Sequence, residues 1–299
     1  MNILESNIDK PINIEQPGHQ SVPLVISSPH SGLDYPADFV KNSALSKQKL
    51  RSSEDCFVDE IFRYAPKVGA PLLKALFPRV FVDVNRGPFE LDPTMFNSGL
   101  PNYVTTKNQR IFAGLGTVAK VVSNGEEVYK NKLDFDEVKK RIETCYNPYH
   151  IELKRLIDQT RDIFGFCILI DCHSMPSNAA KSATPKPLGK KGTDIILGDC
   201  HGSSCHPSIM NAALEILTQA GFSVKRNNPY AGGFITQHYG KPYESVHAIQ
   251  IEINRSLYMN EKELKRLDGI KMLTRIMTDF MINMGQKADP MPHLKGAAE

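Results

Sequence analysis

The feature that most constrains this chain is an alternation of short apolar runs with longer segments of helical periodicity. Four runs are rich in β-branched and aromatic residues and are nearly continuous in apolar character; they cover residues 22–27, 80–84, 166–170 and 248–253. Such runs are typical of buried central strands. Strands that alternate with helices predict an α/β protein built on a layered sheet.

Three helices have clear sequence signals. The first is predicted to begin near Asp134 and to be kinked or split by Pro148, because proline lacks the amide hydrogen that a helix interior needs. The second spans 207–219, with proline at its first position. The third is predicted to begin at Asn260, with Glu263 three residues on as its capping partner.

Composition excludes several classes of protein. The 299 residues carry a net charge of only +3, which gives no concentrated basic face for nucleic acid. No apolar run reaches the length of a membrane span, and the polar N-terminus does not resemble a signal peptide.

Residues 1–20 are predicted to be a loose leader, and residues 21–299 a single α/β domain that carries the chemistry. The six scattered cysteines then favour reduced thiols and a cytoplasmic location.

Chemically active side chains lie at or near the C-terminal ends of all four runs. His30 follows the first run, the Asn85–Arg86 pair the second and His173 the third, while the fourth holds Glu252 and ends beside Arg255. In open α/β sheets, ligands bind outside these strand ends. The sequence therefore predicts one site assembled from four strands.

Two histidines in such a site suggest a metal. Catalytic zinc commonly takes two histidines and a carboxylate and keeps one position open. Asp55 is the favoured acid and Glu54 the alternative; Asp55 could instead cap the N-terminus of a helix. Asp171 lies on the same side of its strand as His173, so it could orient that histidine, or it could be an ordinary buried acid.

The remaining polar groups suggest a base and an anion clamp. Glu252, flanked by isoleucines on a strand, suits a general base, or it forms a salt bridge with Arg255 or Arg86. Both arginines offer planar forks for carboxylates, unless they pair with nearby acids such as Asp83.

Two further segments have weaker signals. Residues 200–206 (CHGSSCH) hold four possible metal ligands, but their spacing matches no usual structural zinc pattern and favours a turn. The basic stretch 181–191 is interpreted as a flexible loop that is either a lid or simply solvated.

Five motifs, taken together and in order, resemble the N-formylglutamate amidohydrolase family over roughly residues 20–285: 28–32 (SPHSG), 82–86 (VDVNR), 171–175 (DCHSM), 228–233 (NPYAGG) and 250–259 (QIEINRSLYM). That family is similar in fold to zinc carboxypeptidases. The resemblance implies a phosphorylase/hydrolase-like three-layer αβα sandwich with a central mixed, mostly parallel β-sheet.

The resemblance also implies roles. His30 and His173 look like zinc ligands, Glu252 like the general base, and Asn85 with Arg86 like the pair that binds a substrate carboxylate. Carboxypeptidases place an acidic ligand three residues after the first histidine, where this chain has Leu33. The acid must come from elsewhere, and Asp55 is the candidate.

The resulting hypothesis is a cytoplasmic enzyme of histidine catabolism, with one Zn²⁺ per chain, that hydrolyses N-formyl-L-glutamate to formate and glutamate. Arg255 is a second candidate clamp, and Gly232 and Gly233 would let the backbone approach a small acidic substrate closely. The alternatives are the same chemistry on another N-acyl amino acid or short acidic peptide, and a metal-free binding protein that kept the pocket.

Overall fold

A computed structural model describes residues 8–178 and 192–287. The strands are β1 (Ile12–Glu15), β2 (Leu24–Ser28), β3 (Leu72–Ala75), β4 (Cys167–Met175), β5 (Ile195–Gly198), β6 (Val224–Arg226), β7 (Val246–Asn254), β8 (Met259–Asn260) and β9 (Lys265–Arg266). The α-helices are α1 (Ala37–Asn42), α2 (Lys47–Leu50), α3 (Val58–Ile61), α4 (Ala65–Val68), α5 (Gln109–Phe112), α6 (Phe135–Arg141), α7 (Asn147–Phe164), α8 (Pro207–Gln219), α9 (Phe234–Tyr239) and α10 (Gly269–Lys287). The predicted lid, 181–191, lies outside the described residues.

A seven-stranded sheet has the strand order β1-β3-β2-β4-β7-β5-β6. β2 pairs with β4, and β4 with β7, in parallel, whereas β5 pairs with β7 in antiparallel fashion. All nine residues of β4 and of β7 are buried, as expected for the central strands of such a sheet. The predicted fold class, α/β with a central mixed, mostly parallel sheet, is confirmed.

The packing of the described residues divides them into two compact units. One comprises residues 8–14, 28–56 and 73–154 and holds α1, α2, α5 and α6. The other comprises 15–27, 57–72, 155–178 and 192–287, and α10 packs there on α3, α4 and α8. The division into a leader (1–20) and one domain (21–299) stays a prediction, although residues 12–15 form β1.

The buried apolar stripe of α10 supplies much of the core of the second unit. Leu273, Met277, Phe280, Met281 and Met284 are fully buried and recur at helical spacing. Among the described helices, none has the length and apolarity required to cross a membrane.

The predicted strand at 80–84 is wrong. These residues form turns, with the amides of Phe81 and Val82 donating to the Pro78 carbonyl. The side chains are nonetheless buried, so the apolar run correctly marked burial but not conformation. The strand that precedes this run, β3, is only four residues long and was not predicted. The strands β1, β5, β6, β8 and β9 were not predicted either.

The predicted start of the third helix is also wrong. The Asn260 side chain accepts hydrogen bonds from the amides of Lys262 and Glu263, but it caps a turn between the short strands β8 and β9. α10 begins nine residues later, at Gly269. Asparagine can stabilise a turn in the same way as a helix start, so the local pattern is ambiguous.

The first predicted helix is interrupted just before Pro148. Asp134 caps α6 as expected, through the amide of Asp136. A π-helical turn, 142–146, then joins α6 to α7. Within it the Tyr146 hydroxyl donates to the Arg86 carbonyl at 2.7 Å. The second predicted helix is confirmed as α8 at both ends.

β4 runs further than predicted, so His173 lies inside it, and Glu252 lies inside β7 as predicted. The parallel register pairs Asp171 with Gln250 and His173 with Glu252. Because alternate residues of a strand share one face, these four polar side chains line the same face of two neighbouring strands. A buried polar face of this kind requires internal partners or a ligand.

His247, at the start of β7, should make stability depend on pH. Burial and the neighbouring His206 lower the pKa of His247 to about 4. Since the unfolded chain binds that proton at about pH 6.5, the free energy of unfolding should fall by about 1–2 kcal/mol between pH 7 and pH 5. Urea titrations should show a smaller loss for H247N, whose amide oxygen can still accept from the His206 amide. The exposed H19N is the control, and equal losses in all three proteins would contradict the assignment.

Candidate active site

His30 is almost completely enclosed, with 1% of its surface exposed. It follows β2. Its Nε2 lies 2.7 Å from Asp83 Oδ1, and its Nδ1 lies 3.2 Å from Asp55 Oδ2. The Asp55 amide also donates to the His30 carbonyl at 3.0 Å. The imidazole is therefore held between two carboxylates.

The neighbouring acids at 54 and 55 have different partners. Glu54 accepts from the Tyr35 hydroxyl at 2.7 Å, from Arg51 Nε at 3.0 Å and from Cys56 Sγ at 3.1 Å. Those three donors contact the Glu54 carboxylate, whereas Asp55 turns its carboxylate toward His30. The alternative that Asp55 caps a helix is wrong, because Phe57 occupies the N-cap of α3.

The sequence indicates Asp83 only as a possible partner of the two arginines, and not as a contact of His30. Its Oδ1 also accepts from the Asn85 amide at 2.8 Å, and its Oδ2 accepts from Arg79 at 2.9 Å. Burial would raise the pKa of Asp83, but the attraction of His30, Arg79 and Arg86 holds it well below the ordinary value. A signal was present in the sequence, since Asp83 precedes Asn85 by two residues, as Asp171 precedes His173.

The guanidinium of Arg86 is held mainly by backbone carbonyls. Arg86 Nε donates to the Leu115 carbonyl at 2.8 Å and Nη1 to the Asn85 carbonyl at 2.8 Å, while Nη2 lies 3.8 Å from Asp83 Oδ2. Burial lowers the pKa of Arg86 to about 10, so it keeps its positive charge at neutral pH. Two carbonyl oxygens and a carboxylate 3.8 Å away thus fix the direction of the Arg86 guanidinium.

In the other unit, His173 has its own carboxylate partner. His173 Nε2 lies 3.0 Å from Asp171 Oδ2. Asp171 is fully buried and also accepts from Ser27 Oγ and Thr236 Oγ1, both at 3.3 Å. The contact expected between Asp171 and His173 therefore exists.

Glu252 is 8% exposed and sits beside an amide. Gln250 Nε2 donates to Glu252 Oε1 at 2.8 Å. Arg255, one of the two arginines expected to pair with Glu252 or with a substrate, donates from Nε to Ser174 Oγ at 3.0 Å. The Glu252 carboxylate is therefore held in part by a side chain of its own strand, two residues away.

Gly232 and Gly233 have different structural roles. Gly232 has φ +136°, and a Cβ there would lie 2.6 Å from Cys200 Sγ. The Gly233 amide donates to Gln250 Oε1 at 2.7 Å. Cys200 also donates its amide to the Ala231 carbonyl. The 200–206 segment therefore supports the 227–233 loop.

Within the described ranges, one group of three side chains has ligand atoms close enough to hold a metal ion. His30, Asp55 and His173 each offer one atom, and these atoms lie within 4.8 Å of one another. Ligand bonds of about 2 Å hold two donor atoms of one ion within about 4 Å of each other, so a bound ion would draw these three atoms slightly together. Each histidine also has a carboxylate at one ring nitrogen, the arrangement that orients metal-binding imidazoles. The donor set fits a divalent metal, and residues 200–206 contribute nothing to it.

A buried His₂–carboxylate group on an α/β sheet, with a glutamate in register beside one of the histidines, is the arrangement typical of metal-dependent hydrolases. Comparison with known proteins agrees. The family model described as N-formylglutamate amidohydrolase matches residues 22–259. The chain belongs to the N-formylglutamate amidohydrolase family.

Relatives and solved structures extend the match over most of the chain. It is 31% identical to N-formylglutamate deformylase of Pseudomonas putida, over 82% of this chain and 85% of that protein. It is 29% identical to the enzyme of the same name from Pseudomonas aeruginosa, over 81% and 84%. The crystal structure of N-formylglutamate amidohydrolase from Ralstonia eutropha JMP134 aligns with a TM-score of 0.84 at 34% identity, covering 92% of this chain and 97% of that one. A structure from Agrobacterium tumefaciens shares the fold, with a TM-score of 0.66 at 18% identity.

Substitution of Gly232 by alanine should distort the 227–233 loop. The added Cβ would meet Cys200 Sγ at 2.6 Å, and a positive φ is unfavourable for alanine. We expect the free energy of unfolding to fall by about 1–3 kcal/mol in urea titrations. The control is G18A, where an added Cβ meets nothing within 4 Å. A G232A protein as stable as G18A would show that the loop does not need glycine.

Proposed function

We propose that this chain is a zinc-dependent amidohydrolase that converts N-formyl-L-glutamate to formate and L-glutamate. The observation that carries the proposal is the group of His30, Asp55 and His173, whose ligand atoms lie within 4.8 Å of one another. Family membership supports the reaction, since two relatives about 30% identical are named N-formylglutamate deformylase. We propose one zinc ion per chain.

The donor set supports zinc. Two imidazoles and one carboxylate leave a fourth tetrahedral position open, as catalytic zinc requires. When bound, the ion would polarise the formyl carbonyl and make the attacking water more acidic. The carboxylates of Asp83 and Asp171 would fix the orientation of His30 and His173 by accepting from the ring nitrogens that do not ligate.

Glu252 is the proposed general base. It would take a proton from the attacking water and deliver it to the nitrogen of the leaving glutamate. Its low exposure, 8%, limits competition from bulk water, and the Gln250 amide holds one of its oxygens.

The basic side chains account for an acidic substrate. Asn85 and Arg86 are proposed to bind one substrate carboxylate, and Arg255 is the second candidate clamp. Gly232 and Gly233 are proposed to let the backbone approach the acyl amino acid closely. These roles draw on the charge that Arg86 retains and on the tight packing of the 227–233 loop.

Two alternatives make different predictions. A relative with the same chemistry would prefer another N-acyl amino acid or a short acidic peptide. A non-catalytic binding protein would bind such a molecule without turnover.

A cytoplasmic location is likewise proposed, and six free cysteines, five of them buried, support a reducing compartment.

A substrate panel with metal analysis tests the proposal. The purified protein should hold close to one zinc per chain, lose activity to a chelator and regain it with zinc. N-formyl-L-glutamate should have the highest kcat/KM among N-formyl and N-acetyl derivatives of glutamate, aspartate and leucine. Faster cleavage of N-formylaspartate or of an acetylated amino acid would replace the named substrate. Full activity in a metal-free protein would show that the reaction does not require zinc.

Replacement of the proposed base should separate chemistry from metal binding. In E252Q, kcat should fall by roughly 10²–10⁴, because the amide cannot accept a proton from water. Zinc content should be unchanged, since Glu252 is not among the proposed ligands. E244Q, which alters an exposed acid paired with Lys241, is the matched control. If E252Q turned over like E244Q, Glu252 would not be the base.

A further inference from the structure

Gln250 connects the proposed base, Glu252, to the 227–233 loop through two hydrogen bonds. It lies on β7 two residues before Glu252, on the same face, and only 4% of its surface is exposed. Its Nε2 donates to Glu252 Oε1 at 2.8 Å, while its Oε1 accepts from the Gly233 amide at 2.7 Å. The two ends of one carboxamide therefore contact two different parts of the candidate site.

The chemistry of these contacts requires an amide. A backbone N–H can only donate, so the oxygen of Gln250 must face Gly233 and its nitrogen must face Glu252. An ionised glutamate at 250 would offer acceptors but no donor. An apolar side chain would offer neither a donor nor an acceptor. The orientation of the carboxamide is thus determined by its surroundings.

The loop at the other end of this link is itself closely attached. The Asn227 amide donates to the Leu197 carbonyl, and the Asp199 amide donates to Asn227 Oδ1. Cys200 donates to Ala231, as described above. At the end of the loop Gly233, the N-cap residue of α9, donates its amide hydrogen to Gln250 Oε1. The loop therefore has little freedom to move unless the Gln250 carboxamide moves with it.

We propose that Gln250 is a positioning residue that holds the Glu252 carboxylate in place and couples its position to the 227–233 loop. The inference depends on the proposed role of Glu252 as the base. Gln250 touches neither substrate nor metal in this assignment. Loss of the link should therefore reduce the rate of the chemical step more than substrate binding.

The test uses the zinc-loaded protein and two variants. Q250M keeps the length of the side chain without its polar groups, and Q250N keeps the amide but is one methylene too short to bridge both partners. In both, kcat should fall by about 10–100-fold while KM changes by less than about 3-fold. Exchange of the Gly233 amide hydrogen, followed by NMR, should accelerate. Q250N guards against a Q250M protein that does not fold.

A double-mutant cycle asks whether the effect passes through Glu252. Adding Q250M to E252Q should lower the residual kcat by less than about 2-fold, because the base is already absent. The control is Q20L, which removes a partly buried glutamine bonded to Leu24 and Thr160 and should leave kcat unchanged.

Each contrary result is distinct. An unchanged kcat in Q250M and Q250N, with E252Q impaired, would overturn the role of Gln250 and leave the proposed function intact. An equal further loss in the E252Q background would show that Gln250 acts elsewhere, and unchanged exchange at Gly233 would refute the coupling to the loop. A fully active E252Q would overturn both the base and its positioning.

Discussion

The structure depends on a rule that buried ionisable groups must be paired. The polar face of β4 and β7 and the loops that carry His30 and Asp55 are almost closed to solvent. An isolated charge there would cost several kcal/mol, so each group has a specific partner. His30 has Asp83, His173 has Asp171 and Glu252 has Gln250. Together these contacts determine the direction in which each functional atom points.

The parts of the fold that the sequence predicted are those in which local pattern and burial coincide. The runs that became β2, β4 and β7 are rich in apolar residues because every residue of these strands is buried. α8 was located at both ends because Pro207 marks its first residue and its stripe is continuous. Histidines and acids beside such strands could be grouped from sequence, because the fold class brings strand ends together.

What could not be predicted depends on contacts between distant residues. Residues 80–84 have the composition of a strand, yet the Asp83 amide bonds to the Thr117 carbonyl in a turn-rich loop instead of pairing in the sheet. Glu54 and Asp55 are adjacent in sequence, and it is contacts such as those with Tyr35 and Arg51 that distinguish Glu54 from its neighbour. The link from Gln250 to Gly233 joins residues 17 apart and leaves no periodic trace. Propensity is a property of a single segment, whereas these features depend on contacts between pairs of residues.

The π-helical turn at 142–146 is in effect a one-residue insertion in a helix that would otherwise run from α6 into α7. Each residue of an α-helix advances the side chains by about 100°, so deletion of one residue there would rotate everything that follows by that angle. The hydroxyl of Tyr146 and the imidazole of His150, which contact the Arg86 and Val84 carbonyls, would then face other directions. A change in chain length by a single residue, far along the sequence from the Asn85–Arg86 pair, would thus remove the support of the backbone that presents it.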